Sequence, residues 1–114
     1  MQVSGDNYRV WRDEGTFRIN FEGALRLSGT TAYAPIAKLL EEVDKDQTDS
    51  VTLDISRLQY MNSAGINMFY KFAVSLRKQG GVRLVVHGSN DFPWQKKMLS
   101  HMDRFIETLE ITYT

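Results

Sequence analysis

The sequence predicts an α/β fold in which a mixed, mostly parallel sheet of about five strands packs against about three helices. Near the N-terminus, two alternating segments flank a turn at Glu14 and Gly15, a pattern typical of an antiparallel β-hairpin. After this hairpin, helix-type and strand-type segments alternate, and strands joined through helices pair in parallel. The length of 114 residues is that of one domain, so residues 1–114 are expected to form a single domain.

The hairpin is predicted at residues 8–12 and 16–21, because apolar and polar side chains alternate there. A first helix is predicted from a cap at Thr31 to about residue 45, with Pro35 in its first turn, where proline is tolerated. Its buried stripe follows the spacing i, i+3, i+4, i+7 and consists of Ile36, Leu39, Leu40 and Val43.

The rest of the chain continues the alternation of strands and helices. Residues 51–55 show too little alternation for a half-exposed strand, which predicts a central strand. A second helix is predicted from Ser63 to residue 79, ended by two glycines. A strand at 82–87, a third helix from near Pro93 to near Phe105 and a last strand at 109–113 complete the predicted order ββαβαβαβ.

Composition excludes several classes of function. The chain has no cysteine, and two isolated histidines do not make a metal site, so no metal or other cofactor is expected. Fourteen basic and fourteen acidic residues cancel, which argues against nucleic-acid binding. No apolar run has the length of a membrane span, and the N-terminus lacks a signal-peptide pattern. A cytoplasmic domain that does not bind membranes is therefore expected.

Ser63 lies where the central strand gives way to the second helix. The N-terminus of a helix offers free backbone N–H groups and the positive end of the helix dipole, which favour negative charge. A serine at this position can carry a phosphate at little cost to the fold. Serine is also a common helix cap, and the physics of the helix terminus alone favours a capping role. The two roles are compatible if Asn62 is the cap and Ser63 is the first helical residue.

The segment 51–55, the run 61–66 and the glycine pair before the next strand together resemble the STAS domain, whose members include anti-sigma-factor antagonists. The resemblance extends from about residue 15 to the end of the chain. The family motif Asp-Ser-(Ser/Thr)-Gly opens the second helix, and its first serine is phosphorylated by a partner kinase that doubles as an anti-sigma factor. Ser63 and Gly65 match that motif, so the resemblance implies phosphorylation of Ser63 and its reversal by a serine phosphatase.

Two positions depart from the motif. Asn62 stands in place of the aspartate and removes one negative charge beside Ser63, which either eases phosphorylation or weakens kinase recognition. Ala64 stands in place of the second hydroxyl residue, so a phosphate cannot be shared between neighbours. These departures suggest an atypical bacterial subgroup with its own partner. The released target, a sigma-factor pathway or another output such as second-messenger synthesis, stays open, as does the oligomeric state, a weak homodimer included.

Partner-binding candidates lie on the second helix and in a neighbouring loop. Ala64, Asn67, Met68, Lys71 and Ser75 are predicted to lie together off the core stripe of the helix. Met68 is expected to be an exposed apolar side chain on a polar face. Asn90 and Trp94 follow the next strand along the chain, and in parallel sheets functional residues gather at the carboxyl ends of the strands. Trp94 either anchors a partner or closes the top of the core.

An enzyme is not expected. Met61 stands where a Gly-x-Ser-x-Gly elbow needs its first glycine, and no histidine is placed to act as a base. The sequence favours a partner-switching regulator that is phosphorylated on Ser63 by a serine kinase. A small-ligand or nucleotide sensor, and a passive docking module whose serine is never modified, are the alternatives.

Overall fold

The computed structural model of this chain describes residues 2–45, 49–104, 106 and 109–114. Six strands and three helices follow one another in this part of the chain. In order they are β1 Gln2–Ser4, β2 Tyr8–Arg12, β3 Arg18–Leu25, α1 Gly29–Lys45, β4 Ser50–Met61, α2 Ser63–Gln79, β5 Arg83–Gly88, α3 Pro93–Met102 and β6 Leu109–Tyr113.

The strands form one mixed sheet in which spatial order equals chain order, β1-β2-β3-β4-β5-β6. The first three strands pair antiparallel, and the pairs β3–β4, β4–β5 and β5–β6 are parallel. The predicted fold class and the N-terminal hairpin are therefore confirmed. Sequence periodicity missed β1, because its three residues are too short to show alternation.

Strand β4 lies at the centre of the sheet, as predicted, but it is twelve residues long and reaches Met61. Val51, Leu53 and Ile55 are fully buried, whereas the side chains between them are half-buried. One face of the sheet therefore carries the core, and the other face remains partly open.

Strand β5 ends at Gly88, well before the end of β4, so part of β4 lacks a neighbour on that side. The buried side chain of Gln95, in the first turn of α3, forms hydrogen bonds with this part of β4. Its Nε2 donates to the carbonyls of Ile55 and Leu58 at 2.7 and 2.9 Å, and its Oε1 accepts from the N–H of Ser89 at 2.8 Å. Gln95 thus satisfies backbone groups that a longer β5 would otherwise pair, and it fixes α3 against the sheet.

The helices contribute their apolar stripes to one core. The predicted stripe of α1 is buried, from Ile36 to Val43. However, α1 begins at Gly29, so Thr31 lies inside the helix and Pro35 is its seventh residue, in the second turn rather than the first. Helix α3 ends at Met102. The predicted end near Phe105 lies outside the described residues.

Helix α2 spans Ser63–Gln79, as predicted. Gly80 ends it with φ of 74°, a conformation that favours glycine, and its N–H donates to the carbonyls of Leu76 and Arg77. The first turn of α2 therefore lies directly after the last residues of the longest strand, where a single residue, Asn62, separates strand from helix.

Candidate functional site

Asn62 is the N-cap of α2, and both its side-chain oxygen and its side-chain nitrogen form hydrogen bonds. The Oδ1 atom accepts from the N–H of Gly65 at 3.1 Å and from the hydroxyl of Tyr33 at 2.7 Å. The Nδ2 atom donates to the carbonyl of Leu27 at 2.9 Å. One side chain therefore ties α2 to α1 and to the segment that precedes α1.

This geometry explains why asparagine stands in the place of aspartate. An aspartate would keep both bonds to Oδ1, but it has no N–H to offer the carbonyl of Leu27. Two oxygen atoms would then face each other across a distance that now holds a hydrogen bond.

Tyr33 is a residue of the site that sequence reasoning missed, and it is a hydrogen-bond partner of Asn62. Its side chain is only 2% exposed, and burial raises the pKa of its hydroxyl, which keeps the group protonated and able to donate to Asn62. A signal was present in the sequence, because Tyr33 continues the buried stripe of α1 one turn towards the N-terminus, three residues before Ile36.

Ser63 is the first residue of α2, and it is exposed. Because Asn62 accepts from the N–H of Gly65, the Ser63 hydroxyl does not serve as the cap. No acidic residue lies in the first turn of α2. The helix dipole and the N–H groups of this turn therefore act on the Ser63 side chain without a competing carboxylate in the turn.

Gly65 is required by close packing. A Cβ atom on this residue would clash with the side chain of Met61 and would lie 2.9 Å from the hydroxyl of Tyr33. The first turn of α2 therefore approaches β4 and α1 more closely than any other residue type permits. Ala64, its neighbour, is half-buried and faces the other side of the turn, towards α1.

A groove of about 590 Å³ runs between α1 and α2, beginning beside the Ser63 turn. The five residues predicted to lie together on α2 all line this groove; they are Ala64, Asn67, Met68, Lys71 and Ser75. The facing wall on α1 includes Tyr33, Ala37 and Leu40. We call this surface the α1–α2 groove.

Met68 differs from the expectation. Its side chain is only 8% exposed and belongs to the core cluster, whereas the sequence pattern placed it on the exposed face. The physical reason is that α1 lies across this side of α2, so the buried arc of α2 is wider than the stripe of Ile66, Phe69, Ala73 and Leu76 used to predict it. Asn67 and Lys71 are exposed.

Asn90 and Trp94 lie elsewhere. Strand β4 continues six residues beyond Ile55, roughly 20 Å at about 3.3 Å per residue, whereas β5 ends at Gly88 near the level of Asp54. Asn90 is exposed, and its N–H donates to the carbonyl of Thr114. Although β4 and β5 are neighbours, Asn90 does not line the α1–α2 groove.

The indole Nε1 of Trp94 donates to the carbonyl of Gln59 at 2.8 Å, so the ring bridges α3 and the extended part of β4. Trp94 is half-buried and packs against the core. This contact accords with the structural alternative for Trp94, in which the ring closes the core at the end of the sheet.

A separate polar cluster lies on the open face of the sheet around Asp54. Burial alone would raise the pKa of this carboxyl, but hydrogen bonds from the hydroxyl and N–H of Ser56, together with the guanidinium of Arg18, lower the pKa below its ordinary value of 3.8. The arrangement holds a carboxylate in its charged form. The described groups that contact Asp54, namely those of Ser56 and Arg18, hold this carboxylate in place within the sheet. The cluster lies away from the first turn of α2.

Comparison with known proteins gives one family. A family model described as STAS domain matches residues 13–112. No curated protein matches the chain. Within the described residues, none of the helices has the length and apolar character that crossing a membrane requires.

Solved structures with a similar fold come from Pseudomonas aeruginosa. A chain in the complex of the diguanylate cyclase SiaD with its activator SiaC is 15% identical, with a TM-score of 0.75, over 100% of this chain and 99% of that one. SiaC itself is 14% identical, with a TM-score of 0.70, over 100% and 98%. Apo-SiaC is 12% identical, with a TM-score of 0.72, over 100% and 97%.

Proposed function

Because the chain belongs to the STAS domain family, we propose that it is a regulatory protein-binding domain whose docking is controlled by phosphorylation of Ser63. One observation carries this proposal. Ser63 is exposed at the first position of α2, while Asn62 performs the capping role that would otherwise explain a serine at this junction. The Ser63 hydroxyl is therefore available to a kinase.

The fold can accept a phosphate at this position. The positive end of the α2 dipole and the N–H groups of its first turn stabilise a phosphate there. The neutral Asn62 amide, held by Tyr33 and Leu27, adds no negative charge beside it. We therefore expect Ser63→Asp to melt within a few degrees of the wild-type chain.

The docking surface in this proposal is the first turn of α2 around Ser63 together with the α1–α2 groove. Ala64 and the exposed side chains of Asn67 and Lys71 supply a mixed apolar and polar surface beside the serine, and the largely buried Met68 contributes only to the lining of the groove. A phosphate adds a charge of about −2 to this surface. Burying that charge in an interface without cationic partners costs several kcal/mol. A loss of about 3–4 kcal/mol weakens binding roughly 10²–10³-fold.

The proposed partners are a serine kinase, a serine phosphatase that resets the switch, and a target protein that binds the unmodified form. SiaC, which shares the fold, is an activator of a diguanylate cyclase. A signalling enzyme is therefore a reasonable class of target for this chain. In this scheme the chain acts by binding and carries out no catalytic step of its own.

The test compares variants that carry equal charge at different places. Tagged wild-type chain, Ser63→Asp, Ser63→Ala and Ser4→Asp are expressed in the native host, and co-purified proteins are quantified by mass spectrometry. Ser4 is an exposed serine on β1, at the edge of the sheet, and serves as the matched charge control. The proposal predicts at least one protein that is retained by wild type, Ser63→Ala and Ser4→Asp but lost from Ser63→Asp. Equal recovery with Ser63→Asp and wild type, at equal thermal stability, contradicts it.

The size of the α1–α2 groove favours a second candidate function, a sensor of small ligands or nucleotides. Its volume of about 590 Å³ lies within the range of small-molecule sites, and most of its described lining is apolar. A ligand bound there raises the melting temperature, because it stabilises the folded state by RT ln(1 + L/Kd), where L is the free ligand concentration. Under this alternative, the rise with a panel of nucleotides persists in Ser63→Ala and disappears when Ala64→Trp fills the groove.

A further inference from the structure

A second groove, of about 270 Å³, lies on the other side of α2, between α2 and α3. We call it the α2–α3 groove. Its residues fall into three kinds, namely apolar residues (Met61, Ile66 and Met98), aromatic residues (Tyr60, Tyr70 and Trp94) and basic residues (Lys97 and His101). An apolar floor with an aromatic and cationic rim has the composition of a protein-binding hot spot.

Within the part of the chain that the structure describes, Tyr60 is the one large hydrophobic side chain that is exposed, at 41%. The guanidinium carbon of Arg26 lies 4.6 Å from the centroid of its ring. This contact places a second cation, in addition to Lys97, beside the groove and orients the ring. An exposed tyrosine ring that an arginine holds in place offers a contact surface to a protein partner.

The charge around the α2–α3 groove is positive. Among the described residues that line it, Lys97 is charged and none is acidic. Helices α2 and α3 contain no aspartate or glutamate, and α3 also carries Lys96. The chain as a whole is neutral, so its acidic residues lie on other segments. A local excess of positive charge attracts a negatively charged partner and sets the orientation in which it docks.

The aromatic wall is preorganised. The Nε1 of Trp94 is held by the carbonyl of Gln59 at 2.8 Å, and the hydroxyl of Tyr70 donates to the carbonyl of Met98 at 3.4 Å. Both rings are therefore fixed before any partner arrives. A fixed wall reduces the conformational entropy lost on binding.

We propose that the α2–α3 groove binds an acidic segment of a protein partner, with one apolar or aromatic side chain of that segment inserted between Trp94 and Tyr60. The inference deepens the proposed function and rests on it only in taking the chain to be a protein-binding domain. An acidic peptide fits better than a nucleic acid, because the floor is apolar and only a few cations line the rim. A phosphate on Ser63, one turn before Ile66 on α2, would add negative charge near this groove and oppose such a partner.

The test uses a synthetic probe and the unphosphorylated chain. The probe is a twelve-residue peptide of glutamate and glycine with one central phenylalanine, titrated into ¹⁵N-labelled protein and followed by NMR. We expect shifts of the Trp94 indole N–H and of the Ile66 and Tyr70 amides, and weaker binding as salt is raised. Lys97→Glu should weaken binding roughly tenfold. Lys38→Glu, the same change on the exposed side of α1, should leave it within about twofold.

Three results would overturn the inference. They are the absence of shifts at millimolar probe, equal binding when alanine replaces the phenylalanine of the probe, and stronger perturbation of the same resonances by duplex DNA or by phosphatidylglycerol vesicles. Since Ser63 is unmodified throughout, a negative result leaves the phosphorylation proposal standing. Conversely, an unphosphorylated Ser63 in cells would leave a positive titration intact.

Discussion

Asn62→Ala should lower the unfolding free energy much more than Ser63→Ala, because Asn62 and not Ser63 caps α2. Removing the Asn62 amide deletes the cap of the Gly65 N–H, which contributes about 1 kcal/mol. It also leaves the buried Tyr33 hydroxyl without its acceptor, at a cost of about 1–3 kcal/mol. The half-buried Leu27 carbonyl adds little, since water can reach it. The expected total is about 3 kcal/mol, or roughly 12 °C in melting temperature for a chain of this size.

Ser63→Ala, by contrast, changes an exposed side chain, and its unfolding free energy should stay within about 0.5 kcal/mol of wild type. Urea denaturation followed by far-UV circular dichroism measures both variants. Adding Tyr33→Phe to Asn62→Ala should cost less than the sum of the two single changes, because the hydroxyl and the amide share one bond. A loss of 1 kcal/mol or more in Ser63→Ala, with a smaller loss in Asn62→Ala, would show that Ser63 is the cap and would refute the reasoning.

Three further predictions concern the surroundings of the site. Gly65→Ala should destabilise the chain by about 1–3 kcal/mol in thermal denaturation despite the higher helix propensity of alanine, because the new methyl group clashes with Met61; a stabilised variant would contradict this packing. Gln95→Leu should cost about 3 kcal/mol in urea, since two carbonyls of β4 and one N–H lose their partner, and a near-neutral result would mean that water replaces it. The lowered pKa of Asp54 means that its ion pair and hydrogen bonds stabilise the fold above the ordinary carboxyl pKa of 3.8, and this stabilisation is lost as pH falls through the lower folded value. The difference in stability between wild type and Asp54→Asn should therefore shrink below about pH 4, and a constant difference down to pH 2 would speak against the ion pair.

The main elements of this fold were predictable because local patterns dictate them. The hairpin, the stripe of α1, the bounds of α2 and the central place of β4 all follow from apolar spacing and from glycines that end elements. The extension of β4 to Met61 was not predictable in this way. Residues 56–60 are mostly polar and read as a loop, and they form a strand because β3 pairs with one side and Gln95 supplies bonds on the other.

The candidate site likewise has features that local sequence patterns predict and features that depend on tertiary contacts. The position of Ser63 at the start of α2 follows from the sequence, because a strand pattern ends and a helix pattern begins beside it. The contacts of Asn62 with Tyr33 and Leu27 join residues about thirty positions apart, so no local pattern reveals them. The burial of Met68 likewise depends on where α1 lies across α2.

Mass spectrometry of the protein purified from its native cells, with and without phosphatase treatment, tests the central claim most directly. Trypsin releases the peptide 58–71, in which Ser63 is the one serine or threonine, so fragmentation need separate it only from Tyr60 and Tyr70. The proposed switch predicts one phosphoryl group on Ser63 that phosphatase removes and whose abundance changes with growth condition. A peptide that stays unmodified through several growth and stress conditions would contradict the switch and favour the ligand-sensing or passive docking alternatives.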